Sequence, residues 1–310
     1  VNELRYTKYT ILMTDFETPV LLLIFNRPRK TQYLIDALEK VRPKHIFIMA
    51  DGPRKTVLTD QQDCKSARDI ATHIPWECEV HTNFLEDNIG CDQAVPLGID
   101  WFFENVEEGI ILEDDCIPDP TFFSFCEELL EHYRSNKRVM HISGNNFQNG
   151  QTYGDGSYYF SLYSHSWGWA TWKRAWTKFH PAVSNLVNYK KENRVATLPL
   201  SAPAQKFWMK QYLYRQNWDS LWQYTIWYEN GASILPNKNL VTNIGFDNEA
   251  THTRHDDTLA NLHANAIAEI HHPSSLEINK EADNNIFDKI FHVSFLKKVF
   301  FRIRKEYNRI

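Results

Sequence analysis

The chain has 310 residues and a mass of 36.6 kDa, beyond the ~100–200 residues of a typical domain, so it reads as one large α/β unit or two closely fused lobes. With 43% hydrophobic and 24% charged residues the composition is globular, and no run approaches the ~18–20 uninterrupted apolar residues of a membrane span, which excludes a transmembrane protein. A net charge of −5 argues against a broad grip on a phosphate backbone, so no nucleic-acid partner is expected.

Residues 1–17 are read as an N-terminal extension. They lack the charged start, apolar stretch and small-residue cleavage site of a secretion signal, and Met13 stands just ahead of the first strong strand. The five cysteines, Cys64, Cys78, Cys91, Cys116 and Cys126, are odd in number and never spaced C-x-x-C. Neither a disulfide framework nor a structural zinc site is expected, and a reducing, cytoplasmic compartment fits.

From Val20 to Phe25 a continuous apolar run, VLLLIF, predicts a strand covered on both faces. Tyr33, Leu34, Ala37, Leu38 and Val41 then recur at helical spacing between Arg29 and Val41, a crossover helix. The cycle repeats with a strand at 45–50 (HIFIMA), a polar helix over 59–72, a strand at 78–82 (CEVHT), a helix over 92–103 and a strand at 109–112 (GIIL). Alternation of this kind predicts a mostly parallel, Rossmann-like sheet with helices on both faces, occupying residues 18–115.

Beyond Asp115 the composition changes. Eight of the ten tryptophans fall between Trp167 and Trp227, so residues 116–270 are read as a second, fused half with a different task. Rings at 167, 169, 172, 176, 218, 222 and 227 have two readings, stacking on sugars or packing a core. The polar stretch 271–285 reads as a linker. The final segment, 286–310, carries seven Lys and Arg against two acids, with Ile286, Ile290, Val293, Leu296, Phe300 and Ile303 at three- and four-residue steps. It reads either as a basic amphipathic helix lying on an anionic membrane surface or as a terminal helix docked on the body.

The chemistry starts at Glu113-Asp114-Asp115, directly after the fourth strand, because open α/β sheets bind ligands at the carboxyl ends of their strands. Three successive carboxylates repel one another unless a cation neutralises them, and hard oxygen ligands select Mg²⁺ or Mn²⁺. The alternative is a solvated acidic turn before the helix at Pro120, although Asp119 is placed to cap that helix by itself. Asn26-Arg27 follows the first strand and Asp51-Gly52-Pro53 the second. Arg27 is suited to a base or phosphate and Asp51 to a pyrimidine N–H, and both also read as ordinary loop residues. After the third strand comes Asn88-Ile89-Gly90, where Gly90 lets backbone approach a ligand. Asp219 has the plain reading of a helix N-cap. His252 and His255 read as a metal or diphosphate contact or as solvated loop residues. No G-x-G-x-x-G, P-loop, H-E-x-x-H or G-x-S-x-G pattern is present.

The succession LLLIFNRP, IMADGP, NIGCDQAVPLGIDWFF and GIILEDDCIPDPTFF resembles the GT-A fold glycosyltransferases that use nucleotide-diphospho-sugars. Within them it is most similar to bacterial relatives of N-acetylglucosaminyltransferase I. The resemblance continues through SHSWGWATWKRAW, QNWDSLWQY and NLVTNIGFDNEATHT, covering roughly residues 18–253. It implies a GT-A type α/β fold and metal-dependent, inverting transfer of a sugar from a nucleotide-diphosphate donor, a UDP-sugar by preference, to a glycan or glycolipid hydroxyl. It further implies Mn²⁺ or Mg²⁺ on Asp115, donor contacts from Arg27, Asp51, Asn88, Gly90, Glu113 and Asp114, and Asp219 as catalytic base. The same resemblance puts Trp167, Gly168, Trp169 and His252 around the sugar. Work on a polysaccharide from the inner face of the membrane, with 286–310 as a peripheral contact, would follow. The competing readings are a glycoside hydrolase and a non-catalytic carbohydrate-binding protein.

Overall fold

A computed structural model describes residues 16–192, 194–211, 217–246 and 262–291. The first half forms the predicted cycle with small boundary shifts: β1 Val20–Ile24, α1 Pro28–Leu38, β2 His45–Ala50, α2 Asp60–Thr72, β3 Glu79–Phe84, α3 Cys91–Asn105 and β4 Glu108–Glu113. β5 Cys116–Pro118 and α4 Pro120–Tyr133 come next, then β6 Val139–Ser143, β7 Tyr158–Ser161 and β8 Trp169–Trp172. Four helices follow, α5 Lys173–Trp176, α6 Phe179–Ser184, α7 Leu186–Lys191 and α8 Ala202–Gln211. α9 Trp218–Tyr228, β9 Ala232–Pro236, β10 Val241–Asn243 and α10 Lys280–Ile286 complete the chain order.

Eight strands form one mixed sheet in the order β3-β2-β1-β4-β8-β6-β9-β7, and β5 and β10 pair separately as an antiparallel ribbon. β3, β2, β1 and β4 are mutually parallel, as is β6 with β9; β8 runs antiparallel to both β4 and β6. The order 3-2-1-4 is the first half of a doubly wound sheet, whose parallel strands share one carboxyl rim. All four rim loops therefore open on the same side.

The apolar run of β1 is explained by its two faces. Val20, Leu22 and Ile24 pack with α1, α2 and α4, while Leu21 and Leu23 pack with α3 and the tryptophan-rich layer. No alternation is tolerated where helices cover both sides. The tryptophans resolve in favour of the core: Trp169, Trp172, Trp176, Trp222 and Trp227 are each under 2% exposed. Trp222 Nε1 donates to His141 Nδ1 (3.2 Å), whose Nε2 donates to His165 O (3.0 Å), and Trp169 stacks on the imidazole. Burial pushes the His141 pKa down to about 3, so the ring stays neutral.

Tyr33, read as part of the buried face of its helix, is instead 41% exposed, while Leu34, Ala37 and Leu38 are enclosed. Asp119 caps α4 as expected, accepting from Thr121 N–H at 2.9 Å. The polar stretch 271–285 lies against the body: His272 stacks on His132 and meets Glu128, and Ile278 bridges to Phe160. The docked segment runs on past residue 285, since Ile286 and Phe287 are buried beside Trp208 and Trp227. Most of the basic tail, 292–310, lies outside the described residues. Among the described residues, no helix is long and apolar enough to cross a membrane.

Asp283 holds α10 in place. Its carboxylate accepts from Ser161 Oγ (2.5 Å) and from Leu162 N–H (3.0 Å). Burial nevertheless pushes its pKa up to about 7, against the pull of those donors. The native state thus binds this proton more tightly than the unfolded chain, whose aspartates titrate near ~4, so the stability it confers at low pH is lost as pH rises through about 7. The melting temperature should fall between about pH 4 and about pH 7, and Asp283→Asn should flatten that fall. An unchanged slope in thermal melts of the variant would show the charge is not the cause.

Candidate functional site

The carboxyl rim of the parallel sheet gathers Arg27, Asp51, Asn88, Gly90 and the acidic triplet. Glu113 ends β4, and the two residues after it turn into β5, so their carboxylates come to lie under Arg27, the residue that precedes α1. Arg27 Nη1 donates to Asp114 Oδ1 at 2.9 Å and to Asp115 Oδ2 at 3.0 Å. Asp114 Oδ2 also accepts from Phe25 N–H at 3.3 Å. Burial works against the charge of Arg27 but is outweighed by Asp114 and Asp115, so the guanidinium is held protonated. Glu113 is pushed up to about 8, first by burial and then by Asp115 and Asp114, with Arg27 opposing and Asp219 adding to the rise. Asp114 is pushed up to about 6 by burial, with Arg27 opposing. Among the described residues, Arg27 thus faces three neighbouring acids at the end of β4.

The Asp51 carboxylate is engaged by the loops around it. Its carboxylate accepts from Gly52 N–H (2.8 Å), Asn88 Nδ2 (2.7 Å), Ile89 N–H (3.0 Å) and Gly90 N–H (3.0 Å). Four donors reach the ~four lone-pair sites of this carboxylate, so Asp51 ties the β2 loop to the β3–α3 loop. Gly90, at φ +82°, turns its N–H inward to reach it. Gly52 is needed because a Cβ there would collide with the Asp87 backbone. Asn26 is likewise structural, donating to the buried Asp60 (2.8 Å), which Arg54 also holds through Nε and Nη2.

Asp219 lies in the first turn of α9, whose N-cap is Asn217, so it is not the cap itself. Its Oδ1 accepts from Ser220 N–H (2.7 Å) and from the Asn217 side-chain amide. The helix is clamped from below, where Trp218 stacks on Trp169 and Trp222 bonds His141. From the rim side, Asp92 Oδ1 accepts the Trp218 N–H at 3.2 Å. That clamp brings the Asp219 carboxylate within electrostatic reach of Glu113.

Of the expected sugar pocket, Trp167 is partly buried with its ring edge-on to Phe246 and Phe147. Trp169 is fully enclosed in the core. Gly168, at φ +74°, allows the chain to cross Val241 and Leu112, where a Cβ would clash. His252, with His255, lies outside the described residues.

Sequence reasoning passed over one group. Ile244 N–H donates to Asp115 O (2.9 Å), Gly245 N–H donates to Asn243 Oδ1 (2.7 Å), and any side chain at Gly245 would strike Asp115 Oδ2. The available signal was the tripeptide Asn-Ile-Gly, which stands at both 88–90 and 243–245.

Among the described residues, no three His, Cys, Asp or Glu side chains gather to hold a metal by themselves. Mg²⁺ and Mn²⁺ chemistry does not require it, since such ions keep waters and take one or two carboxylates plus substrate phosphates. Asp115 and Asp114 offer hard oxygens at one point, now shared with Arg27, and the donor set fits a hard divalent ion.

No family model matches the chain, and no curated protein matches it. Among solved structures, a bifunctional glycosyltransferase, WbbM in its apo form, is similar at 12% identity over 57% of this chain, with a TM-score of 0.33. The chain spans 35% of that protein. A likeness at this level bears on neither family nor activity.

If Asp51 organises the rim, Asp51→Asn should destabilise the protein by about 1–3 kcal/mol through lost charge-assisted hydrogen bonds. Hydrogen exchange should show lost protection at the Ile89 and Gly90 amides with Ile110–Leu112 unchanged. Protection retained at both amides would refute the anchoring role.

Proposed function

We propose that the chain transfers a sugar from a nucleotide-diphosphate donor, by preference a UDP-sugar, to a hydroxyl of a glycan or glycolipid, with inversion. One observation carries the reading: an arginine bridges two carboxylates at the end of β4 while a further carboxylate, Asp219, is held against the same rim from α9. A pyrophosphate needs cationic partners as its bond to the sugar breaks, and a hydroxyl nucleophile needs a base; this rim provides for both.

Asp115, with Asp114, would hold Mn²⁺ or Mg²⁺, which when bound supplies Lewis-acid neutralisation of the leaving diphosphate. Arg27, released in part from the carboxylates, would turn to the phosphates or the base. Asn88 and Gly90, fixed by Asp51, present backbone to the nucleotide. Glu113, whose proton affinity is raised by burial and then by Asp115 and Asp114, would contact a ribose or sugar oxygen. Asp219 accepts the acceptor's hydroxyl proton during attack on the anomeric carbon, and general-base assistance of this kind contributes ~10²–10⁴-fold. Trp167 supplies an aromatic face for the sugar. Action at the inner face of a membrane, through the part of the tail 286–310 that follows the docked residues 286–291, belongs to the same proposal.

UDP with Mn²⁺ should raise the melting temperature, since a ligand stabilises the state that binds it. Asp115→Asn should abolish that rise. Asp219→Asn should keep it while turnover of nucleotide sugars falls by about 10²-fold or more. A glycoside hydrolase or a non-catalytic glycan binder would show no UDP-dependent shift, and full turnover in Asp219→Asn would remove it as the base.

A further inference from the structure

The eight-stranded sheet has two edges, and the chain treats them differently. Along β7 the segment 271–279 is laid as a cover: Ser157 N–H donates to His271 O (2.8 Å), Asn279 N–H donates to Phe160 O (2.8 Å), and Phe160 bridges Ile278. At the opposite edge β3 pairs with β2 on one side, and among the described residues no strand pairs with its other side. An open edge is a template for another strand, and proteins that stay apart blunt it with Lys, Pro, a bulge or a covering loop. β3, EVHTNF, has no Lys, Arg or Pro, its register with β2 runs without a bulge, and Thr82 in mid-strand is exposed.

Hydrogen bonding decides which residues face outward. Glu79 N–H donates to Lys44 O (2.7 Å) and Leu85 N–H to Ala50 O (2.9 Å), so the odd-numbered residues bond β2. In a parallel pair the alternate residues point their N–H and C=O the other way, which leaves Val80, Thr82 and Phe84 to bond a further strand. Their side chains share one face, where Val80 and Phe84 are partly buried against the core and the Arg68 guanidinium lies 5.0 Å from the Phe84 ring centroid. A second copy of β3, related by a two-fold axis through Thr82, would set Val80 opposite Phe84 and Thr82 opposite its own equivalent. Aromatic–β-branched and Thr–Thr pairs are among those that stabilise a ladder, and no like charges stand opposite each other within the strand. On the other face His81 would meet Asn83. There His81 stacks on Phe47 (4.5 Å between ring centroids), whose ring meets Trp101 edge-on (5.5 Å). Trp101 is half-buried and Leu97, one turn before it, is 41% exposed, so α3 carries apolar surface beside this edge.

We infer that β3 is the interface of a homodimer, in which two copies of this chain pair their β3 strands antiparallel about Thr82 and join two sheets into one. Because the paired strands run in opposite directions, the two carboxyl rims point to opposite ends of the joined sheet, and each site keeps its own residues. The test is the mass of the full chain in solution by sedimentation velocity, where the wild type should be a dimer at micromolar concentration. Thr82→Pro removes an outward N–H and leaves the bonds to β2 in place, while Thr82→Lys sets like charges opposite each other across the axis. Each variant should sediment as a monomer at the same concentration, with the melting-temperature rise from UDP and Mn²⁺ at its wild-type value. Cysteine substitution reads the register. Opposite residues of a hydrogen-bonded pair lie ~5.5 Å apart at Cα, within disulfide reach, so Thr82→Cys should give a covalent dimer on mild oxidation where Asn83→Cys and the wild type do not. A monomeric wild type, a dimer that survives both the Pro and the Lys substitution, or no covalent dimer from Thr82→Cys would overturn the inference. A wild-type dimer with no UDP-dependent shift would uphold the interface and sink the transferase reading; a monomer with that shift would do the reverse.

Discussion

Like charges at the end of a packed strand are the constraint around which this molecule is arranged. β4 is covered on both sides, so the carboxyl groups at its end have little water to screen them: burial raises the proton affinity of Glu113 and Asp114, and Asp115 adds to the rise at both. Arg27 answers with one guanidinium nitrogen on Asp114 and Asp115 together. A guanidinium cannot give up its proton, which makes it a lasting counter-ion where a lysine would yield to burial. Among the described residues, the cation that answers these acids is Arg27, just ahead of α1.

Much of the surrounding structure serves to hold that rim still. Asp51 draws two loops together by accepting four N–H groups, so the rim's shape does not depend on a ligand being bound. On the other side a layer of buried indoles fixes α9, with the neutral His141 accepting from Trp222 beneath it. Asp219 is thus carried on a rigid helix rather than on a loop. The tryptophan-rich half, for all its resemblance to a sugar-binding surface, does most of its work out of contact with solvent.

Helix α1 links the rim to the outer surface. Its inner face completes the core through Leu34 and Leu38, its first residue follows Arg27, and its outer face exposes Tyr33.

The alternating pattern by itself determined the parallel half, because helices on both faces demand uninterrupted apolar strands and the 3.6-residue period between them leaves one reading for each segment. The acidic triplet at a strand end was legible for the same reason: strand polarity dictates which loops share a rim. Only the tertiary structure decided that Asp51 is a scaffold, that Tyr33 faces outward, that Trp169 is core and that residues 271–291 dock on the body. Each of those outcomes depends on what lies across a gap in space. A carboxylate's role follows from how many donors reach it, and a ring's from what covers its faces, and both are set by residues far away in the chain, as Ser161 is from Asp283.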